Sequence, residues 1–239
     1  MNKANNNYLE VKSISKYFGR RKVLQGVSFY LNKGEFVTIF GPNGVGKTTL
    51  IRVLSTILNP TDGDFTLEGI SAKRDPVFFR KNIGVISHNP YVYPDLTAHE
   101  NLRFFGKLFG VKNIDERIDK LLKLVNLSER RYDLAGTFSR GMLQRMAIAR
   151  ALLHKPAVLF LDEPHSGLDP RASEVLDQII ADYRKTDTTF IMTTHSIRKG
   201  LELADRALIL SQKGIVYNER VDGLKEEPFK KIYMEKCEA

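Results

Sequence analysis

One short glycine-rich segment limits what this chain can fold into more than any other part of its sequence. Residues 41–48 read Gly-Pro-Asn-Gly-Val-Gly-Lys-Thr, which is the spacing of a phosphate-binding loop between a strand and a helix. The flanking residues predict a strand over Phe36–Phe40 and a helix over Thr48–Leu58. Glycine lets the backbone curl so that successive N–H groups surround an anion, and the helix N-terminus adds its positive dipole end. We therefore predict an α/β fold with a phosphate site at this junction.

The phosphate-binding loop assigns roles to two of its side chains. Lys47 is predicted to reach the β- and γ-phosphates of a nucleotide, and Thr48 is predicted to ligate Mg²⁺. The residues predicted to bind the nucleotide are those of the loop and the one that follows it: Gly41, Pro42, Asn43, Gly44, Val45, Gly46, Lys47, Thr48 and Thr49.

A second apolar run ends in two carboxylates. Val158–Leu161 predicts a buried strand, as Thr189–Met192 does, and Asp162 and Glu163 follow the first of them. Open α/β sheets bind ligands at the carboxyl edge of their strands. Asp162 is therefore predicted to organise Mg²⁺, and Glu163 to accept a proton from an attacking water. The competing interpretation is that both acids merely end a strand.

The remaining pattern predicts how the chain is laid out. Alternating residues at Tyr8–Val11 and Val27–Leu31 indicate half-buried antiparallel strands, whereas residues from about 90 to 153 have helical spacing. The prediction is an α/β fold: a P-loop NTPase core with a mixed parallel sheet, an N-terminal antiparallel β subdomain and an inserted α-helical subdomain. Residues 1–239 would form a single domain, with a C-terminal tail over about 218–239.

Local signals define the helices of the insert. Thr97 and Glu100 have the spacing of a capping box, and amphipathic helices are predicted over Ile114–Val125 and Ser139–Leu153. The C-terminal segment Gly223–Ala239 mixes charged and apolar residues. It fits either an amphipathic helix packed on the body or a contact with a partner.

Composition indicates the cellular compartment of the chain but does not identify the class of its binding partner. No run approaches the roughly 20 apolar residues that span a bilayer, and Met1–Asn7 lacks the apolar core of a signal peptide. The lone cysteine, Cys237, fits a reducing compartment, so we predict a cytoplasmic protein. The net charge of +9 is compatible with a nucleic acid, an anionic membrane face, a nucleotide or a solvated surface.

Further motifs lie before, between and after the two phosphate-site segments. Phe138–Arg145 resembles the signature motif of ABC transporter ATPases and lies just before the predicted strand that ends in Asp162 and Glu163. Asp162–Asp169 resembles their Walker B and D-loop run, Thr193–His195 their switch histidine, and Lys16–Gly19 their adenine-stacking aromatic loop. The resemblance to the ATPase domain of ABC transporters covers nearly the whole chain.

The resemblance implies ATP and Mg²⁺ as cofactors and adds two residues to the site within one chain. Phe18 would stack on the adenine, with Tyr17 as the rival residue, and His195 would bind the γ-phosphate and steady the water near Glu163.

The resemblance also implies a dimer. Ser139 begins a predicted helix, so its hydroxyl and the first N–H groups can bind phosphate. In the family this helix faces the ATP held by the opposite subunit, which adds Ser139, Gly141 and Asp169 to the nucleotide-binding residues. A homodimer, or a pseudo-symmetric heterodimer, would hold two ATP molecules at its interface.

Some residues depart from the family pattern. His88 occupies the position of a glutamine that contacts Mg²⁺ or water, so we hypothesise that it replaces that glutamine and makes turnover acid-sensitive; a loop histidine without ligand contact is the alternative. Arg140 replaces a glycine and would either face the γ-phosphate or point to solvent, and Met142 replaces a glutamine. His165 replaces a common threonine, and its predicted role is structural or at an interface.

These features predict an ATP-hydrolysing subunit that powers transport, in the export direction, through a separate integral-membrane subunit. The chain would lie on the cytoplasmic face of the membrane, docked by an apolar surface: Tyr91, Val92, Tyr93 and Leu96. The alternative is that these four residues pack within the insert. The loops around Ser87, Leu96–Phe105 and Phe138–Met142 are similar to those of haem exporters of cytochrome c maturation. The alternative is a soluble ABC ATPase in cofactor assembly or a ribosome- or nucleic-acid-associated process, although nucleic acid is not the expected partner.

Overall fold

The computed structural model describes residues 7–87, 89–168 and 170–238. The strands in these ranges, numbered in chain order, are β1 (Leu9–Phe18), β2 (Arg21–Leu31), β3 (Phe36–Phe40), β4 (Asp62–Leu67), β5 (Ile70–Ser71), β6 (Ile83–Ile86), β7 (Val158–Asp162), β8 (Thr189–Thr193), β9 (Arg206–Ser211) and β10 (Gly214–Arg220). The α-helices are α1 (Lys47–Leu54), α2 (Pro76–Asn82), α3 (Ala98–Leu108), α4 (Ile114–Leu124), α5 (Arg140–Leu152), α6 (Pro170–Arg184), α7 (Ile197–Leu203) and α8 (Glu226–Glu238). Two short 3₁₀ turns, Ser128–Arg130 and Ala135–Thr137, lie between α4 and α5.

The larger sheet carries the predicted buried strands. Its order is β10-β9-β3-β8-β7-β6, in which β9, β3, β8, β7 and β6 run parallel and β10 is antiparallel to β9. Every residue of β3, β7 and β8 is buried, as expected for parallel strands covered on both faces. These strands end at Phe40, Asp162 and Thr193, with Asp162 directly opposite Thr193. The carboxyl edge of the sheet therefore gathers the residues that follow each strand.

The smaller sheet is antiparallel, with the order β2-β1-β4-β5. Its apolar face, including Leu9, Leu24 and Phe65, packs in one core with Ile39 of β3 and Leu50 of α1. The α/β architecture, with an N-terminal antiparallel sheet and a mixed sheet, is confirmed. Strands β1 and β2 are longer than the segments that alternation indicated.

Three helices lie between β6 and β7 in the chain, as the sequence predicted. At the start of α3, Thr97 Oγ1 accepts from the Glu100 backbone N at 3.1 Å, and Glu100 Oε2 accepts from the Thr97 backbone N at 2.8 Å. This arrangement is the predicted capping box. Helices α3, α4 and α5 pack in a second core that includes Leu102, Ile118 and Met146.

The helix after the phosphate-binding loop is shorter than predicted. It ends at Leu54, not Leu58, because Thr56 adopts a left-handed φ of 59°. The backbone N–H groups of Ile57 and Leu58 both donate to the Arg52 carbonyl, which satisfies the helix end and reverses the chain.

The C-terminal segment packs on the body, which was one of its two predicted arrangements. Phe229 of α8 is fully buried, and its ring centroid lies 4.8 Å from that of Phe40 and 5.8 Å from that of Tyr217. Strand β10 continues to Arg220, so residues 218–220 belong to the sheet. None of the helices in the described ranges has the length and apolar character needed to cross a bilayer.

Candidate functional site

The phosphate-binding loop joins β3 to α1, and its shape depends on glycine. Gly46 has a φ of 115°, and a Cβ on it would lie 2.9 Å from the Val23 carbonyl oxygen. A Cβ on Gly41 would lie 2.6 Å from the Leu210 carbonyl oxygen. Gly44 also adopts a left-handed φ, of 77°. Side chains at these positions would strain the loop or push neighbouring backbone away, so the loop keeps its N–H groups close to any ligand.

The other loop residues divide between the core and the surface. Val45 is buried in the first core, so only its backbone can face a ligand, whereas Pro42, Asn43 and Thr48 are exposed. Thr49 is half-buried on the first turn of α1.

Lys47 is buried at the centre of the loop. Its Nζ donates to the Gly41 carbonyl at 2.7 Å and to the Pro42 carbonyl at 3.3 Å. Burial lowers the pKa of this ammonium, and the negative charges of Glu163 and Asp162 partly oppose that shift. The lysine therefore sits between the loop backbone and both carboxylates, where it can meet an incoming phosphate.

Asp162 joins three elements at the carboxyl edge of the sheet. Its Oδ1 accepts from Thr48 Oγ1 at 3.1 Å and from Thr193 Oγ1 at 2.7 Å. Asp162 is only 5% exposed, so these two hydroxyls hold its carboxylate in one orientation. A hydroxyl and a carboxylate oxygen this close form a donor pair that suits Mg²⁺, which usually takes one or two protein oxygens plus phosphates and waters.

Glu163 has a strained backbone and a fixed carboxylate. Its φ of 48° is left-handed, a conformation that costs a non-glycine residue about 1–3 kcal/mol and occurs at turns and at functional sites. Its backbone N donates to the Thr193 carbonyl at 3.0 Å. Its Oε2 accepts from the His195 backbone N at 3.2 Å and from His195 Nδ1 at 2.8 Å.

His195 lies between the end of β8 and the start of α7, whose cap is Ser196. Its side chain is 67% exposed, although Nδ1 is held by Glu163. The outer edge of the imidazole is therefore available to a ligand that enters beside Glu163.

Phe18 ends β1 next to the turn that leads into β2. Its ring is 49% exposed, and Lys16 Nζ lies 5.3 Å from the ring centroid. Tyr17, its predicted rival, is less exposed, and Lys22 Nζ lies 5.9 Å from its ring. Phe18 is thus the more accessible of the two rings for stacking.

The signature segment begins α5 as predicted. Ser139 is the N-cap, and its Oγ accepts from the Met142 backbone N at 3.3 Å. Ser139 and Arg140 are exposed and Gly141 is half-buried. The hydroxyl is bonded to its own helix, and this helix end faces outward from the chain.

Two of the residues that depart from the family pattern, Arg140 and His165, have contacts within the chain. The Arg140 guanidinium lies against Gly167, where an added Cβ would be 2.6 Å from its Cζ. His165 Nε2 donates to Asp177 Oδ1 at 2.7 Å, and Lys199 Nζ donates to Asp177 Oδ2 at 2.8 Å. Of the two roles predicted for His165, structural or at an interface, this contact fits the structural one.

Two predicted site residues, His88 and Asp169, lie outside the described residues. One contributor, in turn, was missed by sequence reasoning: Thr193, which was read only as part of the approach to His195. Its signal was a hydroxyl at the end of a buried strand.

The chain resembles known proteins over most of its length. A family model described as ABC transporter matches residues 24–166. The linearmycin resistance ATP-binding protein LnrL of Bacillus subtilis is 36% identical over 206 residues, which cover 85% of this chain and 66% of that relative. Other relatives are named for daunorubicin resistance, spermidine/putrescine import or arginine transport.

Solved structures agree with the sequence relatives. A structure of an ATP-binding subunit of an ABC transporter aligns with a TM-score of 0.87 and 27% identity, covering 96% of this chain and 99% of the other. A dimeric ATP-binding cassette in a post-hydrolysis state, bound to ADP and Pi, aligns with a TM-score of 0.80 and 25% identity, covering 89% and 98%. The family match covers more than half of the chain, so this protein belongs to the ABC transporter family as one of its ATP-binding, ATP-hydrolysing domains.

Proposed function

We propose that this chain is the ATPase subunit of a transporter, bound to the cytoplasmic face of a membrane, where it powers export through a separate integral-membrane subunit. The observation that carries the proposal is the cluster at the carboxyl edge of the sheet. There Asp162 is shared by Thr48 and Thr193, and Glu163 is held by His195. This cluster has the parts that hydrolysis of a bound nucleotide needs.

The phosphates of ATP would lie in the phosphate-binding loop, residues 41–49, with Phe18 stacked on the adenine. Lys47 would leave its carbonyl acceptors for the β- and γ-phosphates. Thr48 and Asp162 would hold Mg²⁺, which when bound neutralises charge on the phosphate oxygens.

Glu163 is the proposed general base. Its carboxylate, aligned by the backbone N and Nδ1 of His195, would accept a proton from the attacking water. His195 would steady the γ-phosphate with its exposed edge. His88 is retained as the proposed replacement for the family glutamine.

The working form is proposed to be a dimer of two such domains, with an ATP at each of two shared sites. The cap of α5 supports this arrangement, because Ser139 and Arg140 are exposed at the surface, where a second chain can reach them. In the dimer Ser139, Gly141 and Asp169 would face the nucleotide of the partner.

The proposed docking surface for the membrane subunit is a cleft between α2, β6, α3 and α5, which we call the groove. It is a cavity of about 500 Å³. Exposed apolar side chains line it, among them Ile57, Val77 and Leu108, the last 68% exposed. Of the residues first predicted for docking, Tyr91 lines the groove, whereas Val92 packs against the second core.

Charge at the rim indicates what the groove would take. Arg80 and Lys81 line one side of it, and Arg80 Nε is fixed by Thr56 Oγ1 at 3.1 Å. The proposed occupant is therefore a cytoplasmic helix of the membrane subunit with an apolar face and an acidic flank. The inserted helical subdomain, over about 90–153, would supply the wall made by α3 and α5.

The export direction is supported by the resistance names among the relatives and by the resemblance to haem exporters. Because a relative named for import is also 36% identical to this chain, we propose that the membrane subunit decides the direction. Identifying that subunit is the decisive test.

The experiment is to purify this chain from its native membranes in gentle detergent with ATP and the Glu163→Gln variant, which would retain bound nucleotide. We expect an integral-membrane protein of an export family to co-purify. Recovery only from the soluble fraction, with assembly proteins or RNA, would contradict the transporter proposal and support a soluble ABC ATPase. The wild-type chain with ADP is the control.

A further inference from the structure

We infer that Arg150 is a positioning residue that links the groove to the nucleotide site by holding both ends of the segment between β6 and Tyr91. The inference deepens the proposed function and rests on it, because it assigns the route by which an occupant of the groove would influence hydrolysis.

Arg150 brackets this segment with two hydrogen bonds. It lies on the last turn of α5. Its Nη2 donates to the Val85 carbonyl at 3.0 Å, and its Nε donates to the Pro90 carbonyl at 3.2 Å. Residues 86–89 lie between these acceptors. A planar guanidinium can reach two carbonyls at fixed spacing, which a lysine ammonium cannot do in the same way.

The charge of Arg150 is unusual in its surroundings. Burial lowers its pKa to about 10, so the side chain remains protonated at neutral pH. Within the described part of the chain, no ion pair includes it. Its positive charge is offset by the two carbonyl dipoles and by the rings of Tyr91 and Phe105, whose centroids lie 5.6 and 5.4 Å from Cζ.

One side of this arrangement leads to the nucleotide site. Val85 pairs with Phe160 of β7, and Ile86 pairs with Leu161, the residue before Asp162. Beyond Ile86, Ser87 Oγ donates to the Asn89 carbonyl at 3.0 Å. A shift at the end of β6 is therefore passed through one strand pair to the Asp162 end of β7.

The other side leads to the groove surface. Arg150, Tyr91 and Phe105 all line the groove. The ring of Phe105 lies 6.0 Å from that of Tyr93 and 5.3 Å from that of Phe104, and both of these rings are about half exposed. A helix entering the groove would contact rings against which the guanidinium rests.

The chain contains a matched control for a purely structural arginine. Arg117 Nε donates to the Leu153 carbonyl at 3.2 Å, and its Nη2 donates to the Leu152 carbonyl at 2.6 Å. It thus uses the same donors on two backbone carbonyls, but it ties α4 to the end of α5 and has no hydrogen bond to those residues between Val85 and Tyr91 that the structure describes.

The test compares Arg150→Lys with Arg117→Lys in the purified full-length chain. We would measure the melting temperature, hydrogen exchange of the amides from 86 to 91, and kcat and KM for ATP hydrolysis with Mg²⁺. Both variants are expected to lower the melting temperature. Only Arg150→Lys should speed exchange in the segment and lower kcat, by roughly three- to thirtyfold, with little change in KM.

Equal exchange and equal kcat in the two variants would overturn the inference. Failure of the proposed function would look different: the wild-type chain would not hydrolyse ATP, or would not purify with a membrane protein. The exchange comparison does not depend on either of these outcomes.

Discussion

The carboxyl edge of the parallel sheet and the groove differ in whether their side chains already have partners within the chain. At the sheet edge, the site's polar side chains have partners within the chain: Asp162 has two hydroxyls, Glu163 has His195, and Lys47 has two loop carbonyls. At the groove, Leu108 and Val77 are left exposed. A small charged ligand needs groups that are already aligned, whereas a partner helix gains its affinity by covering apolar surface.

The largest effect is expected from a substitution at the carboxyl edge of the sheet. Glu163→Gln should lower ATP hydrolysis by about 10²–10⁴-fold, because the amide can accept a hydrogen bond but cannot take a proton from water. ATP binding should persist, since the loop and Lys47 are untouched. Turnover and nucleotide retention on the purified chain would check this, and near-normal turnover would assign the base elsewhere.

The next largest effect is expected from a substitution in the groove that leaves the residues at the sheet edge unchanged. Leu108→Asp should weaken binding of the membrane subunit by about thirtyfold, corresponding to about 2 kcal/mol at a well-covered apolar contact. ATP hydrolysis by the isolated chain should not change. Met234→Asp, at an exposed apolar residue of α8 that does not line the groove, is the matched control. Equal co-purification of both variants would remove the groove as the docking surface.

A smaller effect on activity is expected when Asp162 loses one of its hydroxyl partners at the sheet edge. Thr193→Val removes one of the two hydroxyl donors to Asp162 and should lower kcat by about tenfold, as loss of partners behind a metal ligand often does. Thr38→Val is the control, because this buried threonine of β3 donates to the Gly200 carbonyl and not to the site. Similar activity losses in both would indicate a general packing effect.

The smallest effect concerns pH and the wall of the groove. His154 Nε2 lies 2.9 Å from the Ile83 carbonyl oxygen, and its ring stacks on Phe109 at 4.0 Å. Burial lowers the pKa of His154, the Ile83 carbonyl opposes the shift, and the charges of Arg150 and Arg117 add to it. The unfolded chain therefore binds this proton more readily, so stability should fall as pH drops through the unfolded value of about 6.5.

Chemical denaturation at several pH values would check this prediction. His154→Gln keeps a donor but cannot titrate, so its stability should depend less on pH between about 7 and 5. Parallel curves for the two proteins would exclude His154 as the cause of acid sensitivity.

Sequence reasoning reached the parts of the molecule that local pattern determines. The strand Phe36–Phe40, the glycines of the loop and the capping box at Thr97 each follow from adjacent residues, and the structure has all three. The end of α1 was wrong because a left-handed Thr56 stops the helix where composition permits it to continue.

Hydrogen bonds between residues that are distant in the chain could not be predicted from local sequence pattern. Thr193 and Asp162 meet because two parallel strands end in register, and Arg150 reaches carbonyls that lie far away in sequence. The hydroxyl at the end of a buried strand marks Thr193 as a polar residue at the sheet edge, but neither it nor Arg150 has a local signal that names its distant partner. The left-handed backbone of Glu163 is equally invisible, since glutamate has no preference for it.

The contacts of Asp177 have a mechanical consequence. This carboxylate of α6 holds His165, in the loop just after Glu163, and Lys199, in the helix just after His195. The two chain segments that flank the Glu163–His195 pair are thereby fastened to the same helix. Base and imidazole should therefore travel as one rigid unit whenever α6 moves, and their mutual alignment should survive a displacement that carries both toward or away from the nucleotide.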